Sequence, residues 1–514
     1  MRKRIIIALG WLTAVAVQTV SAQQEAPKRG LLDSLEYRAE LQTTLSGGDH
    51  TPLWLNANRY GLSSLKKANG YVRGAIVRPL ERDSLRRWGI GYGLDVAVAA
   101  GFTSTLVVQQ AYGELRWLKG VLTVGSKEQP VELKNRALSS GAQTLGINAR
   151  PVPQVRLALP DYWTIPYTRG WLALKGHIAY GKTTDDGWQK DFSRKETKYT
   201  EGTLYHSKAG YLRIGKEGKP FSVELGLEMA CQFGGTSYRK DEENTVFHNA
   251  AGLGAFFHAF IPGGGEVNET TYQNDEGNQL GSWLIRLNYD RDDWGLSFYA
   301  DKYFEDHSAM FMLDYDGYGE GGEWNVKKKS RYLLYDLKDI MLGLELRLPH
   351  GTWLQNVVLE YLYTKYQSGP VYHDRTPSIS DHIGGIDDNY NHSIFTGWQH
   401  WGQVMGNPLY LSPLYNASGE INVNNNRFKA WHLGVSGQPT NNLYYRVLLT
   451  WQDGLGTYRK PYTHRKYNTS LMAEASYRLR GGWSVTGAFG ADFGAIRGDN
   501  HGVQFTLRKT GIIR

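Results

Sequence analysis

The chain has one cysteine, Cys231, in 514 residues. That excludes a disulfide scaffold and any metal centre built on several thiolates. Apart from its N-terminus it lacks a long apolar run. A helical span needs about 20 apolar residues, so a multi-helix membrane protein is excluded. No charge sign dominates: 58 Lys and Arg stand against 50 Asp and Glu, and they are dispersed. No basic face stands out, so nucleic acid is not an expected partner. Phosphate-cradling and dinucleotide-binding glycine motifs are absent too, and no cofactor or metal is expected. What the chain has in plenty is glycine, 60 residues, and aromatics, 13%, with 33 Tyr and 16 Trp.

Residues 1–22 read as a signal peptide. Met1-Arg-Lys-Arg4 is basic, Ile5–Val17 is apolar but too short to span a bilayer, and Val20-Ser21-Ala22 is a small-residue cleavage signal. No cysteine follows Ala22 in a position for lipidation. No linker or repeat divides the rest, so residues 23–514 are expected to form a single domain.

The rest is dominated by strict alternation of apolar and polar residues, the mark of a sheet with two unlike faces. In 469–480, Leu471, Ala473, Ala475, Tyr477 and Leu479 share one face, and Met472, Glu474, Ser476 and Arg478 the other. Such runs suit tilted strands of about 9–11 residues that cross a bilayer. Tyr92, Trp117, Trp171, Trp294, Tyr361, Tyr363 and Trp483 fall near strand ends, as an interfacial aromatic girdle would.

Eighteen strands are expected, near 35–45, 71–79, 88–100, 106–117, 121–126, 153–159, 171–180, 208–214, 220–232, 281–290, 294–304, 339–348, 355–366, 429–437, 443–452, 468–479, 483–493 and 501–509. Every second connection is short, and nearly all long ones, including 453–467, fall on the other side. Short periplasmic turns and long extracellular loops characterise outer-membrane barrels. The fold expected is therefore all-β: a transmembrane antiparallel β-barrel of about 18 strands, placed in a bacterial outer membrane with outer-membrane lipids around it. A barrel this wide encloses a channel unless it is filled. Two segments could occlude it: 127–152, as loop or short helical turns, and Gln23–Ser34.

Mixed charge on the inner face is expected to brace the wall. Arg347, Arg446, Arg478 and Arg508 lie among Glu224, Glu228, Glu345, Glu360 and Glu474. Asn391-His392-Ser393 has residue types used by hydrolases. Neighbouring residues on an extended chain point apart, however, and no orienting third group is evident, so no enzyme is expected. His373, His382, His392 and His400 share a loop with Asp374, Asp381, Asp387 and Asp388 at spacings that match no metal-ligand motif.

Aromatic and amide residues are dense outside the strands, notably in Thr51–Gly61 and Asp388–Trp401. Aromatic faces with amides and Arg can bind sugars. Here the sequence resembles the Wzi family of capsule-assembly outer-membrane proteins. The resemblance runs through Pro52-Leu-Trp-Leu-Asn-Ala-Asn-Arg-Tyr-Gly61, Leu122–Lys127, Leu138–Gly141, Asn148–Val155, Asp388–Asn391, Gly397-Trp398, Met405–Leu409, His432–Gly434 and Leu449–Tyr458. It implies an 18-stranded barrel with an occluded lumen. It also implies a lectin-like role: holding capsular or surface polysaccharide at the cell surface without catalysis, with capsule-export machinery as a possible partner. The ending Phe505–Arg514 departs from the terminal aromatic on which many such barrels close. The polysaccharide contacts expected are Trp54, Asn58, Arg59, Tyr60, Arg150, Trp398, Trp401 and Asn407. The alternatives are a porin or exporter for oligosaccharides and, below it, an outer-membrane hydrolase.

Overall fold

The computed structural model describes residues 30–513 apart from Leu85, 241–243, 262–276 and parts of 306–338 and 368–386. The signal-peptide segment lies outside the described residues, as do the side chains of His373, Asp374, Asp381 and His382.

Alternation becomes a wall. Eighteen strands form one antiparallel sheet. The first, Leu35–Gly47, pairs with Ala68–Arg78 on one side and with the last, Asn500–Ile513, on the other, from Leu35↔Ile513 to Gly47↔His501. The sheet is therefore a closed barrel with no free edge, which is how a β-protein satisfies its backbone in lipid. Every expected strand is present, and the C-terminal residues that depart from an aromatic ending continue the last strand to Ile513.

The two faces differ as the pattern requires. On Leu35–Gly47, Glu40, Gln42 and Thr44 point inward and are buried, while Leu41 and Leu45 point out. Val72, Leu94, Val98 and Leu106 are 55–63% exposed on the outside, which places an apolar band against hydrocarbon. Trp88 and Trp117 stack at 5.9 Å near the periplasmic rim, and Tyr361 and Trp431 meet at 4.8 Å at the opposite end. The protein is thus a multi-pass outer-membrane barrel whose long loops are extracellular.

Two expectations need correction, and one open alternative is decided. Residues 453–467 are not a long loop. They are a hairpin, because Leu443–Gly456 and Pro461–Arg478 stay paired beyond the expected strand ends. Sheet above the bilayer needs no apolar face, so the apolar pattern stops before the strand does. The strand near 153–159 runs instead from Gln154 to Thr164, with an irregular register between Leu159 and Trp163. Pro160, which has no N–H to donate, lies within that irregularity. Residues 127–152 form turns and contain no helix.

Segment 127–152 does fill the lumen. Of the other candidate, Gln23–Ser34, residues 23–29 lie outside the described residues. Residues 30–34 form a turn at the periplasmic rim with Leu32 74% exposed, so this part does not plug the barrel. Segments 51–66 and 388–427 share the interior with 127–152.

Candidate functional site

The inner wall is a charged lattice. Asp95 takes Arg73 at 2.6 Å and Arg38 at 2.5 Å. Glu474 takes Arg446 at 2.7 Å and Arg59 at 3.1 Å. Arg286 meets Glu345 at 2.5 Å, and Arg508 meets Glu40 at 2.5 Å. Arg73–Asp95, Arg446–Glu474 and Arg508–Glu40 join neighbouring strands, Arg38–Asp95 and Arg286–Glu345 reach across one intervening strand, and Arg59 comes from the interior segment 51–66; together they brace the wall.

The filling hangs on that lattice. Lys134 Nζ donates to Asp301 at 2.6 Å, with both side chains almost fully buried. Asn135 Nδ2 donates to Glu345 at 3.0 Å, and the Ser139 hydroxyl and Ser140 N–H donate to Glu360 at 2.6 and 2.8 Å. Carbonyls of 127–152 accept in return: Arg286 donates to Leu133 O at 3.0 Å and Arg446 to Ala137 O at 2.9 Å. A buried polar segment holds its place only when its groups are paired in this way. Glycines on the inner wall make the room. A Cβ on Gly434 would lie 2.4 Å from Leu138 O, and one on Gly490 would lie 2.8 Å from Leu55 Cγ.

The residues singled out in the sequence gather around this filling, most of them turned inward. Trp54, 2% exposed, donates from Nε1 to the Thr450 hydroxyl at 3.2 Å. Trp398, 1% exposed, donates to Thr144 O at 3.0 Å and stacks on Tyr205. Asn407 is fully buried and donates to Ser140 Oγ and Gly141 O at 3.2 and 3.1 Å. Asn58 donates to Ser140 O at 3.0 Å, and Arg59 reaches Glu474. Tyr60, Arg150 and Trp401 line open space, and Trp398 borders it as well.

That space is two cavities. The inner one, about 100 Å3, is bordered by Tyr60, Arg150, Arg156, His177, Tyr205 and Glu228 among others. The outer one, about 290 Å3, is bordered by Lys66, Thr103, Arg150, Trp188, His400 and Trp401 among others. Arg150 borders both. Its guanidinium lies 4.2 Å from the Trp401 ring centre and donates to the hydroxyls of Ser104 and Thr103 at 3.0 and 2.9 Å. Its Nε is buried without a partner. Burial pulls its pKa down to about 10, and no carboxylate among the described residues opposes this. Burial also pushes the Tyr60 hydroxyl up to about 12, helped by the nearby Glu128 carboxylate.

Sequence reading missed Arg156, His177 and Tyr205 as lining residues. All three stand on the inward parity of their strands, so alternation could have found them once the lumen was known to be only partly filled. At 391–393 no nucleophile–base pair forms: His392 Nδ1 accepts backbone N–H groups of Ile394 and Phe395 at 3.0 and 3.2 Å. Among the described residues no cluster of His, Cys, Asp or Glu is arranged to hold a metal ion.

No family model matches the chain, and no curated protein is similar to it. Solved structures that it resembles include OccK5 (OpdH) of Pseudomonas aeruginosa, at 8% identity over 95% of this chain and 100% of that chain, TM-score 0.44. OprD of the same organism covers 94% and 95% at 10% identity, TM-score 0.43. OccAB4 of Acinetobacter baumannii covers 94% and 99% at 10% identity, TM-score 0.42. These are OprD- and Occ-type proteins. No family model matches, that of the Wzi family included, and the Wzi-family expectation is corrected accordingly. The lectin-like capsule role, capsular polysaccharide as partner and the capsule-export machinery are withdrawn with it. The physical reason lies in the loops: the aromatic and amide residues that suggested a sugar-binding surface mostly bond to the barrel's own filling.

Proposed function

We propose that the chain is a narrow outer-membrane channel, a porin or exporter for small polar solutes. The supporting observation is the pair of cavities that both reach Arg150, one on the extracellular side and one within the barrel. The inner cavity has room for waters or a small ion. An oligosaccharide would pass only if 127–152 shifts. Tyr60, Arg150 and Trp401 are the residues that a passing solute would touch.

Single-channel recording of the purified barrel in planar bilayers tests this. The intact protein should carry a small, resolvable current. Gly125 lies opposite Gln154 in the sheet, so a short turn can replace 127–152 without disturbing the wall. That excision should raise conductance at least tenfold. A refolded barrel that passes no current with or without 127–152 would remove the channel reading.

A further inference from the structure

The extracellular segment after strand Phe221–Phe233 contains an eight-residue helix, Leu253–Phe260. It lies on the outside of the barrel. Its partners all have outward parity. Tyr180 OH donates to Phe256 O at 2.8 Å, and the Tyr180 and Phe256 rings are 5.3 Å apart. Phe256 meets Phe233 edge-on at 5.1 Å, and Phe260 meets His206 at 5.9 Å. Cys231, on the same outward face, is fully buried in the cluster with Phe233 and Ala259. The inward neighbours Tyr205, Ser207, Ala209 and Tyr211 fix the parity, since Tyr211 donates to Glu228 inside the lumen at 2.7 Å.

Beneath the helix the outer wall carries polar groups that bare hydrocarbon would not tolerate. Lys208 Nζ donates to Ala259 O at 3.4 Å and to Phe260 O, the last carbonyls of the helix, which form its negative end. Gln279 Nε2 donates to His258 O at 3.3 Å. The helix therefore covers a polar patch on a face that elsewhere meets lipid.

The opposite side of the helix is an apolar stripe that is exposed among the described residues. Leu253 is 91% exposed, Phe257 59% and Ile261 49%, at helical spacing of four. The stripe continues outward the apolar face formed by Ile178, Leu225 and Trp283 on adjoining strands. We propose that Leu253–Phe260 is an interfacial helix that seats Leu253, Phe257 and Ile261 in the hydrocarbon of the outer leaflet while shielding Lys208, His206 and Gln279 from it. Water would leave such a stripe unfavourably solvated, and the continuity with the lipid-facing wall selects acyl chains as its occupant. This inference rests on the barrel and its membrane placement, and it is independent of solute passage.

Nitroxide accessibility in phosphatidylcholine vesicles tests it. The label is placed at Phe257→Cys in a Cys231→Ala background, with Val98→Cys as the lipid reference and Arg459→Cys as the water reference. The expected result is that position 257 is reached by oxygen and shielded from a nickel chelate several-fold, as at 98. Nickel access like that at 459 would overturn the proposal, as would shielding from both reagents, which would mean a protein partner. The native cysteine gives a second reading. Leu253→Asp with Phe257→Asp should raise maleimide labelling of Cys231 in vesicles at least tenfold. Unchanged labelling on a folded barrel would show that the stripe does not hold the helix, and would equally overturn the proposal.

Discussion

Two extracellular connections leave the same rim of the barrel and settle on opposite faces of its wall. Segment 127–152 turns in and Leu253–Phe260 turns out. The first contributes amides, hydroxyls and Lys134, and meets Asp301, Glu345 and Glu360, which the inner face presents. The second contributes Phe256, Ala259 and Phe260, and meets Tyr180, Cys231 and Phe233 on the outer face. Each segment also corrects the wall where the wall breaks its own rule. The inward segment supplies a cation to a buried carboxylate, and the outward helix supplies carbonyls to a lysine of lipid-facing parity. The wall's alternation thus sorts the loops as well as the side chains.

The largest test of this contrast is Asp301→Ala. It leaves Lys134 buried without its carboxylate, and stripping one partner from such a pair costs about 3–5 kcal/mol. Guanidinium unfolding in lipid vesicles should show a loss of that size, and a loss near zero would mean that the segment does not depend on the inner wall. On the outer wall, Val98→Lys should cost about 2–4 kcal/mol, since no helix covers that position. Lys208→Met should cost far less, because the native lysine is already capped. Next comes Gly434→Val, which places atoms where Leu138 O now lies. Overpacking of this kind costs about 1–3 kcal/mol and should make 127–152 more open to protease, with the barrel's own strands unaffected.

The smallest effect concerns pH. His400, in the loop that covers the filling, accepts the Thr184 N–H at Nε2 and so presents Nδ1–H to Arg150 O at 2.8 Å. Burial pulls its pKa down to about 4. The unfolded ring takes up a proton as pH falls below its ordinary 6.5 while the folded ring resists. The stability this loop enjoys is therefore intact above 6.5 and erodes toward pH 4. Protease nicking within 388–427 should be faster at pH 4.5 than at pH 8. Equal rates would place His400 outside the linkage.

The wall was legible because period-two alternation is imposed by the membrane itself: outer positions must be apolar wherever lipid touches them. Where lipid ends, the rule ends, and the upper part of Pro461–Arg478 could not be read. Segment 127–152 was legible as a filler from its length and polarity. Its anchors were not, because the partners Asp301 and Glu360 are distant in sequence. The aromatic loops misled for a related reason. Composition identifies Trp54 and Trp398 as residues that want one apolar side and one hydrogen bond, and both find these within the lumen. A ligand surface and an internal scaffold look alike until the direction of the loop is known. The outward helix left a fainter trace, an eight-residue apolar stretch that alternation alone does not mark.

The seam between Leu35–Gly47 and Asn500–Ile513 has a kinetic consequence. The cylinder cannot shut until the last strand arrives, so any chain cut short of it keeps two unpaired strand borders. Such borders recruit other chains. Truncated products should therefore end in aggregates or in the hands of periplasmic chaperones, not as smaller pores.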